Sequence, residues 1–454
     1  MKRVCAWCLC GALAVAGVAQ ARTVNLDQAV QMAMQADPRI KEREQLVDAA
    51  RALLQEAAGH RDLNFDVNAF LGLAPGVQGG FFQGGADSCT ALPCTPRSDV
   101  YHPHGVSSWT GLQFKIIKPL YTFGKIKNYT AAAQGNIDIK RADVRIQRTD
   151  TRLQVMRAYY GYLTARDTRY LLEDVKSRLK GAVDLVQRWL KEGNGRARLS
   201  DLYALQTGQA LVNKYLAQAR AVEQIALDGL KVLTGVGLHH ELQVADRNIQ
   251  PVALPTQTRT EMEAQALAQR PEIAQLTAGL SAQRHLVAAH KAEKLPNLYA
   301  GVVGTFSYAP GRTRLDNPFI YDPFNAAGLT PVIGVKWDWE SGVQPARVAR
   351  AQAQLNALVQ KAALAQQGIP FQVAEAYHRV RADHTSVEQL ARGSRAARRW
   401  MITTYADFQA GFQKPSKVLE AFKAYVETQS DYYTAVNDYD MQVAELKRMT
   451  GAYP

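Results

Sequence analysis

The sequence predicts a mainly α chain with a β-barrel part: long antiparallel coiled-coil helices, four membrane strands per chain and a duplicated repeat. Three observations predict it. An internal repeat spans nearly the whole length. Seams of apolar residues at helical spacing run much further than globular helices usually do. Four short segments carry apolar residues in strand-like runs, three of them alternating with polar ones as a strand with one wet and one dry face would.

The repeat is the strongest organisational signal. QMAMQADPRIKEREQLVDAARALLQEA recurs in outline from Glu263 as EAQALAQRPEIAQLTAGLSAQRHLVAA. Pro38 matches Pro271 and Ile40 matches Ile273, an offset of 233 residues. YTFGKIKNYTAAAQ pairs with WESGVQPARVARAQAQ, where Gly124 matches Gly342 at an offset of 218, and Gly195 matches Gly411 at an offset of 216. The falling offset means that the first copy carries a longer insert between Pro38 and Gly124. Each half reads as helix, strand, loop, strand and a very long helical stretch broken once.

The first helix follows Asn25, and Pro38 breaks it or marks a join. From near Gly124 to about Leu190 there is no proline. Leu172, Val175, Leu179, Ala182, Val186 and Leu190 alternate three- and four-residue steps, the seam of a coiled coil. Tyr432, Val436, Tyr439, Val443 and Leu446 continue such a seam in the second half. About 65 residues of helix make a rod of roughly 100 Å, suited to a tube across a periplasm.

Leu63, Phe65, Val67, Ala69 and Leu71 alternate with Asp62, Asn64, Asp66 and Asn68. Leu112, Phe114 and Ile116 alternate with Gly111, Gln113 and Lys115. Ile333, Val335, Trp337 and Trp339 alternate with Gly334, Lys336 and Asp338. The stretch from Leu298 to Tyr308 is apolar and glycine-rich, with weaker alternation. A half-buried strand of a soluble sheet alternates in the same way. The secretory N-terminus and the aromatics near strand ends (Trp109, Tyr121, Trp337, Trp339) favour the membrane reading. Four strands cannot close a barrel, and an open sheet edge in lipid leaves backbone groups unpaired. The barrel is therefore expected to be shared between chains.

The N-terminus decides the compartment. Lys2 and Arg3 precede an apolar run from Val4 to Ala19, and Ala19-Gln20-Ala21 offers a small-x-small cleavage site, the pattern of a secretory signal peptide. An uncleaved anchor helix is the alternative. No other stretch reaches about 18 consecutive apolar residues, so no transmembrane helix is expected. Cys5, Cys8 and Cys10 would leave with the signal; none sits in a convincing lipobox. Cys89 and Cys94 remain, five apart in CTALPC. In an oxidising compartment they suit a small loop disulfide. A metal pair is the rival, although no His or Cys partner lies at zinc-site spacing.

The chain has 54 Lys and Arg against 41 Asp and Glu, a formal charge of +13. The basic residues are interspersed with acids along helical stretches, and no RNP-like, zinc-finger or basic-arm segment exists, so no nucleic-acid partner is expected. There is no GxSxG, HExxH, P-loop or paired-carboxylate motif. His239-His240 lacks a completing ligand, and His102 and His104 sit in a Gly/Pro-rich loop. Neither an enzyme nor a cofactor is expected.

Four features together resemble the TolC family of outer-membrane efflux proteins. They are the two repeats, the strand-to-helix junction Lys118-Pro119-Leu120-Tyr121 with Gly124, the surface loop NPFIYDPFNAAGLTP, and the helix-hairpin tips EGNGRARLSDLYAL and QAGFQKPSKVLEAFKA. The resemblance covers nearly the whole mature chain. It implies a homotrimer forming a trimeric α/β barrel in outer-membrane lipid and extending into the periplasm. The partners implied are a periplasmic adaptor protein and an inner-membrane pump of a tripartite efflux or type I secretion system. The domains follow: signal peptide 1–21; first repeat 22–235, with strands 62–74 and 108–121 and a tip near 193–201; equatorial linker 236–260; second repeat 261–454, with strands 296–309 and 330–341 and a tip near 410–417. By position, Gly195, Arg196, Arg198, Leu199, Ser200, Gly411 and Pro415 fall where the adaptor would touch. Lys417, Glu420 and Asp201 fall at the pore constriction. The chain departs from the family where Trp337-Asp338-Trp339 replaces the Pro-Leu-aromatic junction, and where Phe408 and Gln413 occupy the usual tyrosine and arginine positions of the gate. A periplasmic coiled-coil adaptor or scaffold is the alternative function, and four strands with a whole-chain duplication argue against it. A porin would need many more strands per chain.

Overall fold

The computed structural model describes residues 22–76, 95, 105–193, 195–312 and 322–453. The expected signal peptide and the Cys89/Cys94 pair lie outside them, as do His102 and His104.

The chain opens with β1 (Arg22–Val24), α1 (Leu26–Ala36) and α2 (Pro38–Gly59). Asn25 caps α1: its side chain accepts from the Gln28 N–H at 2.9 Å, and the Gln28 side chain accepts from the Asn25 N–H at 3.0 Å. This reciprocal box satisfies two of the donors that every helix start leaves free. Pro38 marks a join: the residue before a proline is driven out of helical geometry, while proline itself suits a first helical turn. Asp37 therefore interrupts the rise, and α2 restarts at once. The second half repeats the device. α5 (Arg259–Gln269) is capped by the pair Thr258 and Glu261, and α6 restarts at Pro271 and runs to Ala292.

Strands β2 (Asn64–Pro75) and β3 (Val106–Tyr121) follow α2. The helical hairpin α3 (Lys125–Lys191) and α4 (Leu199–Leu233) comes next, then β4 (Leu242–Val244). After α6 come β5 (Asn297–Tyr308) and β6 (Ala326–Lys336), then α7 (Val343–Gln409) and α8 (Pro415–Met449). Corresponding helices agree in length: α1 and α5 have 11 residues, α2 and α6 have 22, α3 and α7 have 67, α4 and α8 have 35. The last strand corrects its expected span. It ends at Lys336, so Trp337 and Trp339 lie beyond it, with ring centroids 5.3 Å apart.

The chain divides into two compact units. One comprises Leu46–Arg141 and Gln275–Ala362 and holds a four-stranded antiparallel sheet in the order β2-β3-β5-β6. β2 and β6 each have one unpaired side among the described residues.

The other comprises the residues up to Gln45, with Ala142–Ala274 and Ala363–Pro454. Here β1 pairs in parallel with β4. The expected seams form its core. Leu172, Val175, Leu179, Ala182 and Val186 are at most 2% exposed, and Val436, Tyr439, Val443 and Leu446 at most 3%. Leu190 and Tyr432 are half-buried. Towards the hairpin ends, Leu179, Val186, Met401, Phe408, Val418 and Phe422 share one apolar cluster. The C-terminal turn packs on the join between α5 and α6. Gly451 has φ +73°, and a Cβ there would sit 2.8 Å from the Arg270 nitrogen, so only glycine fits without displacement.

Candidate functional site

The sheet register separates two surfaces. Phe65, Val67 and Ala69 of β2 stand opposite Ile116, Phe114 and Leu112 of β3, which stand opposite Val302, Gly304 and Phe306 of β5. Val302, Gly304 and Phe306 in turn face Pro331, Leu329 and Ala327 of β6. This face is apolar, yet Phe65, Val67, Leu71, Leu73, Leu329, Ile333 and Val335 are each more than 60% exposed. A continuous exposed apolar surface of this kind calls for a non-aqueous neighbour. The opposite face carries Asn64, Asp66 and Asn68 beside Gln113 and Lys115, then Thr305, Ser307 and Thr330. Lys118, on the apolar face, stands near the helical end of β3, where a long stem can carry its ammonium to an interface.

The register also corrects one reading of the aromatics. Trp109 stands opposite Gly72 and shares the polar face with Gly111 and Gln113, so it is no part of an outward girdle. Its ring packs edge-on against Phe70 at 4.5 Å and Phe324 at 5.0 Å. Tyr121 stands opposite Leu298 on the apolar side and packs against Phe123.

In the helical unit, three acids fix the segment between β4 and α5: Asp246, exposed and within the segment, and the buried Asp167 and Asp440. Asp246 accepts from the Tyr159 hydroxyl at 2.6 Å, and its carbonyl accepts from Arg166. Asp167 accepts from the Ile249 N–H at 2.8 Å and from the Asn248 side chain at 3.4 Å. Asp440 accepts from the Val252 N–H at 2.8 Å. Asp440 is 1% exposed, and its second oxygen has no hydrogen-bond partner. Burial therefore pushes its carboxyl up to about 7, against the Val252 hydrogen bond, which lowers it. It lines a cavity of about 230 Å³ with Asp27, Arg152, Tyr160, Lys447 and Tyr453. Sequence patterning did not find this anchor, because Asp440 sits beside a seam residue and its partner is a backbone N–H far along the chain. The His239-His240 pair is exposed.

At the hairpin ends, Gly195 and Gly411 take positive φ values of 71° and 86° and turn the chain back. Arg196 and Arg198 are exposed, Leu199 and Ser200 open α4, and Pro415 opens α8 with its ring buried. A Cβ at Gly411 would lie 3.8 Å from the Arg196 guanidinium, so the two turns are neighbours. Asp201 accepts from the Arg198 N–H at 2.9 Å, closing the start of α4. Lys417 and Glu420 pair with each other at 2.8 Å, and both are more than half exposed. Phe408 is fully buried, with its ring 5.3 Å from Trp189, so this position is apolar core and offers no hydrogen bond to Asp201.

Residues 264–452 match the outer membrane efflux protein family. The alkaline protease secretion protein AprF of Pseudomonas aeruginosa is 27% identical over 206 residues, which is 45% of this chain and 42% of that relative's length. Solved channels share the fold. The CmeC outer membrane channel of Campylobacter jejuni superposes with a TM-score of 0.75 at 14% identity, over 94% of this chain and 85% of that one. The open-state MtrE outer membrane channel of Neisseria gonorrhoeae gives 0.71 at 16% identity, over 94% and 88%.

Proposed function

We infer, from a chain whose residues 264–452 belong to the outer membrane efflux protein family and whose described residues have the fold of outer-membrane channels, that it is one subunit of a passive export duct. The duct crosses the outer membrane and extends into the periplasm. One observation carries the reading: a sheet with an exposed apolar face, an opposite face that carries Asn64, Asp66, Asn68, Gln113 and Lys115, and two edges unpaired among the described residues, in a chain that also forms two long helical hairpins. Bare edges in hydrocarbon cost several kcal/mol for each unpaired group, so lipid admits the sheet only inside a closed barrel. Three copies joined edge to edge supply that closure. The apolar face then meets lipid and the polar face lines the lumen.

The matched element lengths support a duplicated repeat, 22–235 and 261–454, joined through an equatorial linker at 236–260. The hairpin ends at 193–201 and 410–417 form the periplasmic entrance. There Gly195, Arg196, Arg198, Leu199, Ser200, Gly411 and Pro415 meet a periplasmic adaptor, which couples the duct to an inner-membrane pump. Lys417, Glu420 and Asp201 ring the constriction. No step of the reading calls for catalysis or a cofactor: the pump supplies the energy and the duct conducts. The test is fractionation followed by gel mobility with and without heating. A detergent-resistant trimer in the outer membrane is expected. A soluble periplasmic monomer would overturn the reading.

A further inference from the structure

The connection between β5 and β6 does not simply leave the sheet. Its two described ends, 309–312 and 322–325, fold over the polar face at the end of the sheet away from the helices. Phe324 lies edge-on to Trp109 at 5.0 Å, and Trp109 stands on the polar face. The return is pinned by a relay: the Trp109 indole N–H donates to the Ser307 hydroxyl at 2.6 Å, which donates to the Pro323 carbonyl at 2.7 Å. The Ala309 N–H donates to the Asn325 side chain at 3.0 Å, and the Gly311 N–H donates to the Ser107 hydroxyl at 2.8 Å. Arg312 ties the connection to the neighbouring hairpin by donating to the Pro75 carbonyl at 3.0 Å. Its guanidinium pairs with Asp322 at 3.3 Å and lies 4.6 Å from the Phe324 ring centre.

The Arg312 and Asp322 side chains are only 8% and 2% exposed. Removing either partner of so buried a pair leaves an uncompensated charge, so the pair ties Arg312 and Asp322, one in each described end, to each other. Loops that merely join strands run over the surface and carry few such ties.

We propose that these residues form an inward collar at the outer mouth of the duct, and that Phe324, held on Trp109, sets the girth of solute that can leave. The inference rests on the duct reading, which makes the polar face the lumen. Because Arg312 is neutralised by Asp322, the collar presents aromatic rings without net charge. It discriminates by width and not by charge sign. Three copies place three such rings around one axis.

The experiment is labelling of intact cells from outside with maleimide-polyethylene glycols of increasing mass. The chain carries Cys89→Ser and Cys94→Ser, with a single reporter at Gln113→Cys. Gln113 is exposed on the polar face, four residues nearer the helical end than Trp109, or about 13 Å deeper. Small reagents are expected to label Gln113→Cys and large ones to fail. Phe324→Ala is expected to raise the mass cut-off, and Phe324→Leu, which keeps the apolar contact, to raise it less. An identical cut-off in all three backgrounds would overturn the collar, as would a reporter that no reagent reaches in any of them. Phe65→Cys, on the apolar face, is expected to remain unlabelled. If it labels as readily as Gln113→Cys, the membrane barrel itself is wrong, which separates failure of the duct reading from failure of the collar alone.

Discussion

Replacing Asp440 by asparagine should remove a pH dependence that this one side chain imposes on the fold. In the folded chain its carboxyl is pushed to about 7 by burial, against 3.8 for a free aspartate. Below pH 3.8 both folded and unfolded chains hold the proton, and the site adds no pH dependence. Between that value and about 7 the unfolded chain releases its proton while the folded chain keeps it, so stability falls as pH rises. Above about 7 both are ionised and the loss levels off. At about 1.4 kcal/mol for each tenfold change in proton affinity, the loss totals about 4 kcal/mol per chain. The charged and titratable groups around the site are Asp27 on α1, Arg152 and Tyr160 on α3, Lys447 on α8, and Tyr453 at the C-terminal end. Tyr432 and Tyr439 of α8 also act on Asp440, Tyr439 sharing a ring contact with His384 of α7, and Asp246, between β4 and α5, acts on Tyr160. All of these persist in the variant, so the difference between parent and variant isolates Asp440. Asparagine still accepts the Val252 N–H, and its amide N–H stands where the O–H of the protonated carboxyl stands, each without an acceptor there. The variant should therefore lie within about 1 kcal/mol of the parent at pH 4.5 and be more stable at pH 8. The assay is guanidinium unfolding in detergent micelles, followed by near-ultraviolet circular dichroism across that range. Parallel pH profiles for parent and variant would refute the argument.

Other expectations follow from the same geometry. Phe65→Lys or Val335→Lys puts an ammonium on the exposed apolar face and should cost about 2–4 kcal/mol near mid-bilayer, lowering trimer yield, whereas Asn64→Lys on the polar face should assemble normally; equal yields would count against the barrel. Phe408→Ala empties a fully buried ring site beside Trp189 and should cost about 3–5 kcal/mol in thermal unfolding, because the cavity lies between packed helices. In planar-bilayer recordings, Lys417→Glu should shift the reversal potential towards cations and Glu420→Gln towards anions; if neither moves it, the pair lies away from the constriction. Free-thiol labelling of the purified mature chain should find Cys89 and Cys94 joined, and two reactive thiols would sink that pairing.

What could be read in advance depended on how local the cause was. The helix starts at Asn25 and Pro38 were legible, because a cap and a proline act on their own turn. The seams through Val175 and Val436 were legible because a coiled coil repeats its spacing. The face of Trp109 is not legible in the sequence, because an aromatic near a strand end does not say which side it takes; the register with Gly72 decides that. The Arg312–Asp322 pair and the Asp440–Val252 contact join residues that no periodicity connects. Lys417 and Glu420 stand three residues apart on α8, and their pairing at 2.8 Å is the i,i+3 contact that such spacing allows. An exposed pair of this kind adds at most about 1 kcal/mol, so its presence speaks to surface charge more than to stability.

If the chain joins the threefold duct proposed above, the edges of β2 and β6, unpaired among the described residues, have a genetic consequence. A chain that can enter lipid only beside its neighbours has no private membrane fate: its fitness is that of the ring it joins. A lesion along either edge, such as a proline that removes a ladder N–H, would leave one unsealed seam in every ring that includes it. In a cell making sound and damaged chains in equal amount, random mixing into threefold rings would leave about one ring in eight wholly sound. Edge lesions should therefore be dominant, whereas lesions that keep the chain from folding at all should be recessive, because such chains never reach the ring.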